Sequence, residues 1–537
     1  SQIKTGYFEK LIQQYLLDNT HGALINVVPE KGRTNRLDQE LQEKLAAYKA
    51  TLSSEEIKKL VADTKALEHY QTEPEKEEDL AKIPVLKRED IKKEAEPIIN
   101  EEITISDVPV YFHELETNGI GYLRCLFKIP SISSDKLVYL GLLQGMLGLV
   151  DTKNYTYGEL SNEINLHTGG VGTDLDLYVD VTNPFGEFLK TFELKTKALY
   201  ENLSFSFAMM EEIIKNSKLH DEKRMKEIIS MTISRLYMRF QQAGHMTAVQ
   251  RASSYSSKAA AYREKIAGID YYYELIELRD HFAEKKEEII TNLKMLTNYI
   301  FRKENLLVSY SAAKEGKEQI TKPLQEFVTK LYQEPVVMMK NDLLPTKKNE
   351  GFKSASKVQY VAQCGNFIKA GEEYTGALQI LRIILSYDYL WKNLRVKGGA
   401  YGCMSGFNRI GSGYFTSYRD PHLKATLETY KGISDYVKNF EATNEELTKY
   451  IIGTMSGIDH TMNPSTKGNR SMNLLLGKVT YEMLQKERNE ILNAQTKDIR
   501  NLYKIVDAIL AAKQITVVGS EEKINEHKDV FEEIRGF

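Results

Sequence analysis

The chain has 537 residues, 42% hydrophobic and 27% charged, with a formal net charge of −3. That length exceeds a single core and calls for several domains. The balanced charge excludes a polybasic nucleic-acid binder. Cys125, Cys364 and Cys403 stand far apart with no C-x-x-C between them, which excludes a cysteine-type structural zinc site and fits a reducing compartment. The longest apolar block, Val138 to Val150, contains Gln144. It is too short for a membrane span and is expected to be a buried helix.

Residues 1–30 end in a β-rich run, HGALINVV (His21 to Val28). It is similar to ENLLVSYSA (Glu304 to Ala312) and KQITVVGS (Lys513 to Ser520), each of which closes a long block. The repeat makes residues 1–30 the tail of a preceding αβ domain whose body is missing, unless three unrelated αβ endings share one composition. The chain opens Ser-Gln-Ile-Lys with no Met and no signal-peptide pattern, which suits a piece of a longer protein. Residues 31–105 change character. Two helical runs, DQELQEKLAAYKATL and SSEEIKKLVADTKALEHY, precede a charged stretch punctuated by proline. Ser53 and Glu56 form a capping box for the second run. A helical hairpin and an extended charged linker are expected.

Residues 106–330 open with two strand-like runs, VPVYFHELE and GYLRCLFKIP. A capped helix from Ser134, then ELSNEINLHTGGVG, then the alternating strand GTDLDLYVD follow, and a long helical region closes the block. Residues 331–537 repeat the order. KVQYVAQCGNF is a strand, Gly376 to Leu394 a helix apolar on nearly all sides, and VKGGAYGCMSGF and GYFTSYRD a glycine turn with strands. Asp420 is the expected N-cap of a helix starting at Pro421. That helix would bury Leu423, Leu427, Tyr430, Ile433, Val437 and Phe440 on one face. The expected fold is α+β: two homologous αβ domains, mostly antiparallel sheet with helices packed on one side.

Both domains run a helix into Gly-Gly, ELSNEINLHTGGVG and YLWKNLRVKGGAYG. Glycine supplies the left-handed residue that ends a helix before a strand. The second copy also carries Arg395, Lys397 and Tyr401, where the first has Asn165, His167 and Val171 nearby.

Local metal and nucleophile motifs are missing. Of ten histidines the nearest two are His220 and His245, so no helix can present two at i, i+4 to one metal. H-E-x-x-H, H-x-x-E-H, G-x-S-x-G and a P-loop do not occur. The closest approach to the inverted motif is KALEH at His69, with a lysine where the first ligand would stand. Arg395 and Tyr401 remain. Each has an ordinary structural use, a helix-end cap and a strand-start core residue. Alternatively, guanidinium and phenol both donate to an oxygen gaining negative charge, and Gly398 and Gly399 let a ligand approach the backbone.

LRVKGGAYG followed by GYFTSYRDPHLKATLETY closely resembles the fourth-domain signature of the pitrilysin/insulinase-type (M16) zinc metallopeptidases, nearest the presequence-protease and falcilysin-like branch (M16 subfamily C). The TGG at Thr168 and the charged hairpin fit that branch. The resemblance covers essentially the whole chain, as the C-terminal half of such an enzyme. It implies LuxS/MPP-like domains at 106–330 and 331–537, the third and fourth of four, closing with an N-terminal catalytic half around unstructured peptides. The family's zinc is bound by H-x-x-E-H and a distal glutamate, which this chain lacks, so zinc is expected on the missing half and none here. Arg395 and Tyr401 match the arginine and tyrosine that the C-terminal half brings to the active site. There they grip the substrate main chain and stabilise the tetrahedral oxyanion of peptide hydrolysis. The chain alone is then expected to be inactive, with no nucleic-acid or membrane partner. The alternative is a natural non-catalytic subunit or scaffold that pairs with a separate zinc-bearing one. High Lys, Glu and Tyr content suits a bacterial cytoplasmic protein.

Overall fold

The computed structural model describes the whole chain except Ser1, Pro29, Lys31, Pro74, Glu75, Ala81 and Val85. The chain divides into two compact units, Ser1–Val85 and Leu86–Phe537.

In the first unit a short helix, Tyr7–Ile12, runs on into a π-helical turn, Gln13–Leu17. His21 to Val28 takes no strand conformation, despite its β-branched composition. Strand propensity is realised only where a neighbouring backbone completes the ladder. Two helices follow, Arg33–Thr51 and Ser54–Thr72. Ser53 starts the second: its Oγ accepts from Glu56 N at 3.3 Å, and Glu56 Oε2 accepts from Ser53 N at 2.8 Å. Leu37, Leu41, Leu45 and Tyr48, at helical spacing, are all exposed. Of the charged linker expected next, Pro74, Glu75, Ala81 and Val85 lie outside the described residues.

The second unit holds two six-stranded sheets. The first is ordered β1-β2-β6-β3-β5-β4, with β1 Glu101–Ile105, β2 Val108–Glu114, β3 Ile120–Lys128, β4 Val171–Tyr178, β5 Leu189–Leu199 and β6 Leu306–Ala312. The second is ordered β12-β7-β11-β8-β10-β9, with β7 Glu350–Ser354, β8 Tyr360–Asn366, β9 Gly402–Phe407, β10 Ser412–Tyr418, β11 Gln514–Ser520 and β12 Glu533–Gly536. Only β2/β6, β7/β11 and β7/β12 pair in parallel; the other ladders are antiparallel. Five strands correspond one to one, 2-6-3-5-4 with 7-11-8-10-9. The outermost strand differs: β1 precedes its sheet in the chain, while β12 is added from the C-terminal side.

Each sheet packs its own domain's helices on one face and receives a helix from the other domain on the opposite face. Gly244–Ser254, from the first domain, lies on β8, β10 and β11. Pro464–Leu476, from the second, lies on β2 and β6, where Met472 packs between Leu126 and Leu307. Buried ion pairs tie both crossings. Arg251 meets Glu350 at 2.6 Å, and Arg124 meets Glu193 at 2.9 Å while donating to Asn473 Oδ1 at 3.0 Å. The stretch leading into β1 also crosses to the second domain. Arg88 donates to Thr448 Oγ1 at 2.9 Å, and Ile99 N to Ser471 Oγ at 3.0 Å.

Three helix boundaries differ from expectation. The helix expected to be capped from Ser134 starts at Leu137, after a 3-10 turn over Ser134–Lys136, and no side chain caps it. The apolar run from Gly376 is not one helix: Ala377–Tyr387 stops at Asp388, whose φ of −119° and ψ of −87° break the helical path, and a π-helical segment covers Trp391–Lys397. Asp420 does not cap a helix at Pro421. Its backbone is held in a bridge to Gln359, with N···O distances of 2.7 and 2.9 Å, so the chain needs a further turn before the helix Lys424–Lys431. The buried Asp420 carboxylate instead accepts from His422 N at 2.8 Å and Thr426 Oγ1 at 2.6 Å. The predicted face, Leu423 through Phe440, is buried, although the helix is interrupted at Gly432.

Candidate functional site

The site is built at the end of the Ala377–Tyr387 helix. Leu378, Leu381 and Leu385 bury that helix against the second domain's core, and Leu394 is the buried anchor of the π-helical segment that follows. Such wide turns cluster at functional positions. Gly399 N closes on Arg395 O at 3.0 Å and Ala400 N on Leu394 O at 2.8 Å. Gly399 has φ +75°, which costs a residue with a Cβ strain. Ala400 is buried, Tyr401 N then donates to Tyr418 O at 3.0 Å, and β9 begins.

This turn brings Arg395 and Tyr401 together. Arg395 Nη1 donates to the Tyr401 carbonyl oxygen at 2.5 Å. The guanidinium carbon lies 4.2 Å from the Trp391 ring centre and 5.3 Å from that of Tyr401. Arg395 has no carboxylate partner and the Tyr401 hydroxyl no hydrogen bond among the described residues. Tyr401 is 63% exposed. Gly398 and Gly399 form the turn between them. An unpaired guanidinium and a free phenol therefore share one open surface, and both are donors.

Sequence reasoning missed the residues around the pair. The Tyr401 ring lies 5.8 Å from Tyr418, which meets His245 at 4.9 Å and Tyr360 at 5.6 Å. His245 comes from the crossing helix of the first domain, and its buried Nδ1 has no hydrogen-bond partner among the described residues. Arg419 lies over Tyr418 at 5.6 Å. Only the run SYRD, beside the glycine turn, hinted at this cluster. Cys403, on β9, is half-buried, and burial pushes its thiol up to about 11, against Arg395 and with Asp420. It stays protonated near neutrality and is no nucleophile.

The equivalent turn of the first domain, Thr168-Gly169-Gly170, precedes β4 at the same edge position. There the His167 ring lies tilted against Phe205, 4.5 Å between centres, and faces Glu163 at 3.8 Å. The shared turn belongs to the fold, whereas the cation–phenol pair belongs to the second copy alone. Among the described residues, no three His, Cys, Asp or Glu side chains converge as a metal site. Nor, among them, is any helix long and apolar enough to cross a membrane.

Comparison with known proteins bears on the family and the fold. A family model for the region associated with subfamily C of the M16 peptidases matches residues 27–278, and one described as the PreP C-terminal domain matches residues 349–521. Protein HypA of Clostridium perfringens is 38% identical over 100% of this chain and 55% of its own length. Presequence protease 1 of Arabidopsis thaliana is 28% identical over 98% of this chain and 49% of its own. The chain thus spans about half the length of these curated relatives. Among solved structures, a peptidase M16 inactive domain from Pseudomonas fluorescens matches with a TM-score of 0.54 at 13% identity, over 78% of this chain and 98% of that one. The periplasmic protease PqqL of Escherichia coli matches at 0.53 and 12%, over 89% of this chain and 52% of that one; both likenesses concern the fold. The chain belongs to subfamily C of the M16 peptidases, in the part of it that the associated-region and PreP C-terminal models describe.

Proposed function

We propose that this chain is the substrate-gripping, metal-free half of a zinc metallopeptidase. With a zinc-bearing N-terminal half it would enclose short unstructured peptides and contribute Arg395 and Tyr401 to their hydrolysis. The observation that carries this reading is the half-buried Arg395 guanidinium without a carboxylate partner among the described residues, fixed with the exposed Tyr401 phenol beside one glycine turn. Among the described residues no ligand cluster fits a zinc ion, and in this reading the metal chemistry belongs to the other half. Here, the remaining Arg395 N–H groups would hold carbonyl oxygens of the peptide backbone. The Tyr401 O–H would donate to the scissile oxygen as it gains negative charge, a contact strengthened in the transition state. With no side chain at Gly398 or Gly399, the peptide can lie close to the turn. The exposed row Leu37, Leu41, Leu45 and Tyr48 is the kind of surface a partner half covers.

The test is reconstitution. The chain, inactive alone, is mixed with a zinc-bearing half from the same subfamily, and cleavage of an unstructured peptide is followed. Zinc-dependent cleavage is expected, with Arg395→Ala and Tyr401→Phe each lowering kcat/KM by roughly one to three orders of magnitude. A folded mixture that stays inert favours a non-catalytic scaffold. Unchanged kinetics in both variants would return the two residues to a structural role.

A further inference from the structure

Arg419 is a non-glycine residue in the left-handed region, at φ +49°. Strand alternation would carry it onto the face of Phe415 and Ser417, both fully buried. The left-handed kink turns it outward instead, and its side chain is exposed. The kink also sets the site. Tyr401 N lies between the carbonyls of Tyr418, at 3.0 Å, and Arg419, at 3.3 Å. The guanidinium rests over Tyr418 and has no carboxylate partner among the described residues. Strained backbone that displays an uncompensated cation on an aromatic surface needs a return, and functional sites are where such strain persists.

Trp391, Arg395, Tyr401, Tyr418 and Arg419 form one continuous surface, each in ring or guanidinium contact with the next. We infer that Arg419 is a second substrate-binding guanidinium, which takes a carbonyl or carboxylate oxygen of the same peptide that Arg395 and Tyr401 hold. The inference rests on the proposed peptidase role. It adds a contact in which Tyr418 serves as the platform between the two cations.

The reconstituted enzyme tests it with Arg419→Gln, Arg419→Lys and Arg419→Gly alongside Arg395→Ala. Arg419→Gln is expected to lower kcat/KM about tenfold, mainly through KM, as loss of a ground-state charge-assisted contact does. Arg419→Lys should recover part of the loss. Arg419→Gly relieves the left-handed strain, so it should melt at or above the wild-type temperature while cleaving as poorly as Arg419→Gln. Peptides with a blocked C-terminus separate the two oxygen sources: a KM effect that vanishes with them assigns the carboxylate, one that persists a main-chain carbonyl. Wild-type rates for Arg419→Gln beside an impaired Arg395→Ala would overturn this inference and spare the peptidase role. Wild-type rates for both would overturn the two together. Lower melting temperatures in Arg419→Gln and Arg419→Gly alike would make Arg419 structural and also overturn it.

Discussion

Arg395 Nη1 and the carbonyl oxygen of Tyr401 are hydrogen-bonded at 2.5 Å, so the cation is held by the backbone of the phenol it stands beside. Gly399 makes that contact possible, because its φ of +75° reverses the chain between the two residues. Gly399→Ala must adopt the same conformation with a Cβ, or lose the turn. A stability loss of ~1–2 kcal/mol is expected, read as a lower urea midpoint at constant slope. In the reconstituted enzyme, kcat/KM should fall towards that of Arg395→Ala. Wild-type activity at reduced stability would separate the turn from the function.

Trp391 is the sole tryptophan of the chain, and Arg395 lies 4.2 Å from its ring centre. Its emission therefore reports on this one site. An unstructured peptide that recruits the Arg395 guanidinium should produce a saturable change in emission, and Arg395→Ala should shift the resting spectrum and abolish the response. Loss of this partly exposed contact costs ~0.5–1 kcal/mol, too little to unfold the domain. A titration with no response in wild type, under conditions where the reconstituted enzyme cleaves, would place the peptide elsewhere.

The α+β fold with two similar sheets was legible because each copy repeats a local grammar of strand, helix, glycine turn and strand. Arg395 and Tyr401 stood out as candidates from a short run around one turn, and the structure brings the two side chains together. What stayed hidden depends on contacts distant in sequence. β5 carries Glu193, Lys195 and Lys197 on one face, which looks solvated, yet Glu193 is buried because Arg124 pairs with it and reaches Asn473 of the crossing helix. The break at Asp388 and the left-handed Arg419 are backbone choices made by packing, which composition does not mark. His245 joins the site only because a helix of one domain crosses onto the other's sheet.

That crossing holds a titratable cluster. Arg251 lies 2.9 Å from Asp270, 3.3 Å from Glu264 and 2.6 Å from Glu350. Burial pushes the Glu264 carboxyl up to about 7, with Arg251 opposing and Asp270 adding to the rise. An acid with a raised folded-state pKa binds its proton more tightly when folded. Its contribution is full below the ordinary value of about 4.5 and is lost as pH rises towards about 7. Melting curves across that window should therefore show a steeper decline for wild type than for Glu264→Gln, which keeps an acceptor without the charge. Parallel curves would remove Glu264 from the pH response. Arg251→Met leaves Glu350 and Glu264 buried without their cation and should cost ~3–5 kcal/mol.

The opposite crossing depends on Gly468. A Cβ there would clash with Ser311 Oγ on β6 and stand 3.3 Å from the ring of His113 on β2. His113 cannot give way easily, since its ring bonds Ile99 O at 2.6 Å and Ser309 Oγ at 2.8 Å. Gly468→Ala must therefore turn the Ser311 hydroxyl aside or lift the helix Pro464–Leu476 off the sheet, loosening Met472 between Leu126 and Leu307. Overpacking of this kind costs ~1–3 kcal/mol, less the gain from replacing a helical glycine, ~1 kcal/mol. Ser311→Gly removes the obstructing hydroxyl, so the double variant should be more stable than the sum of the two single changes implies. Simple additivity in that cycle would mean that helix and sheet do not touch at this point.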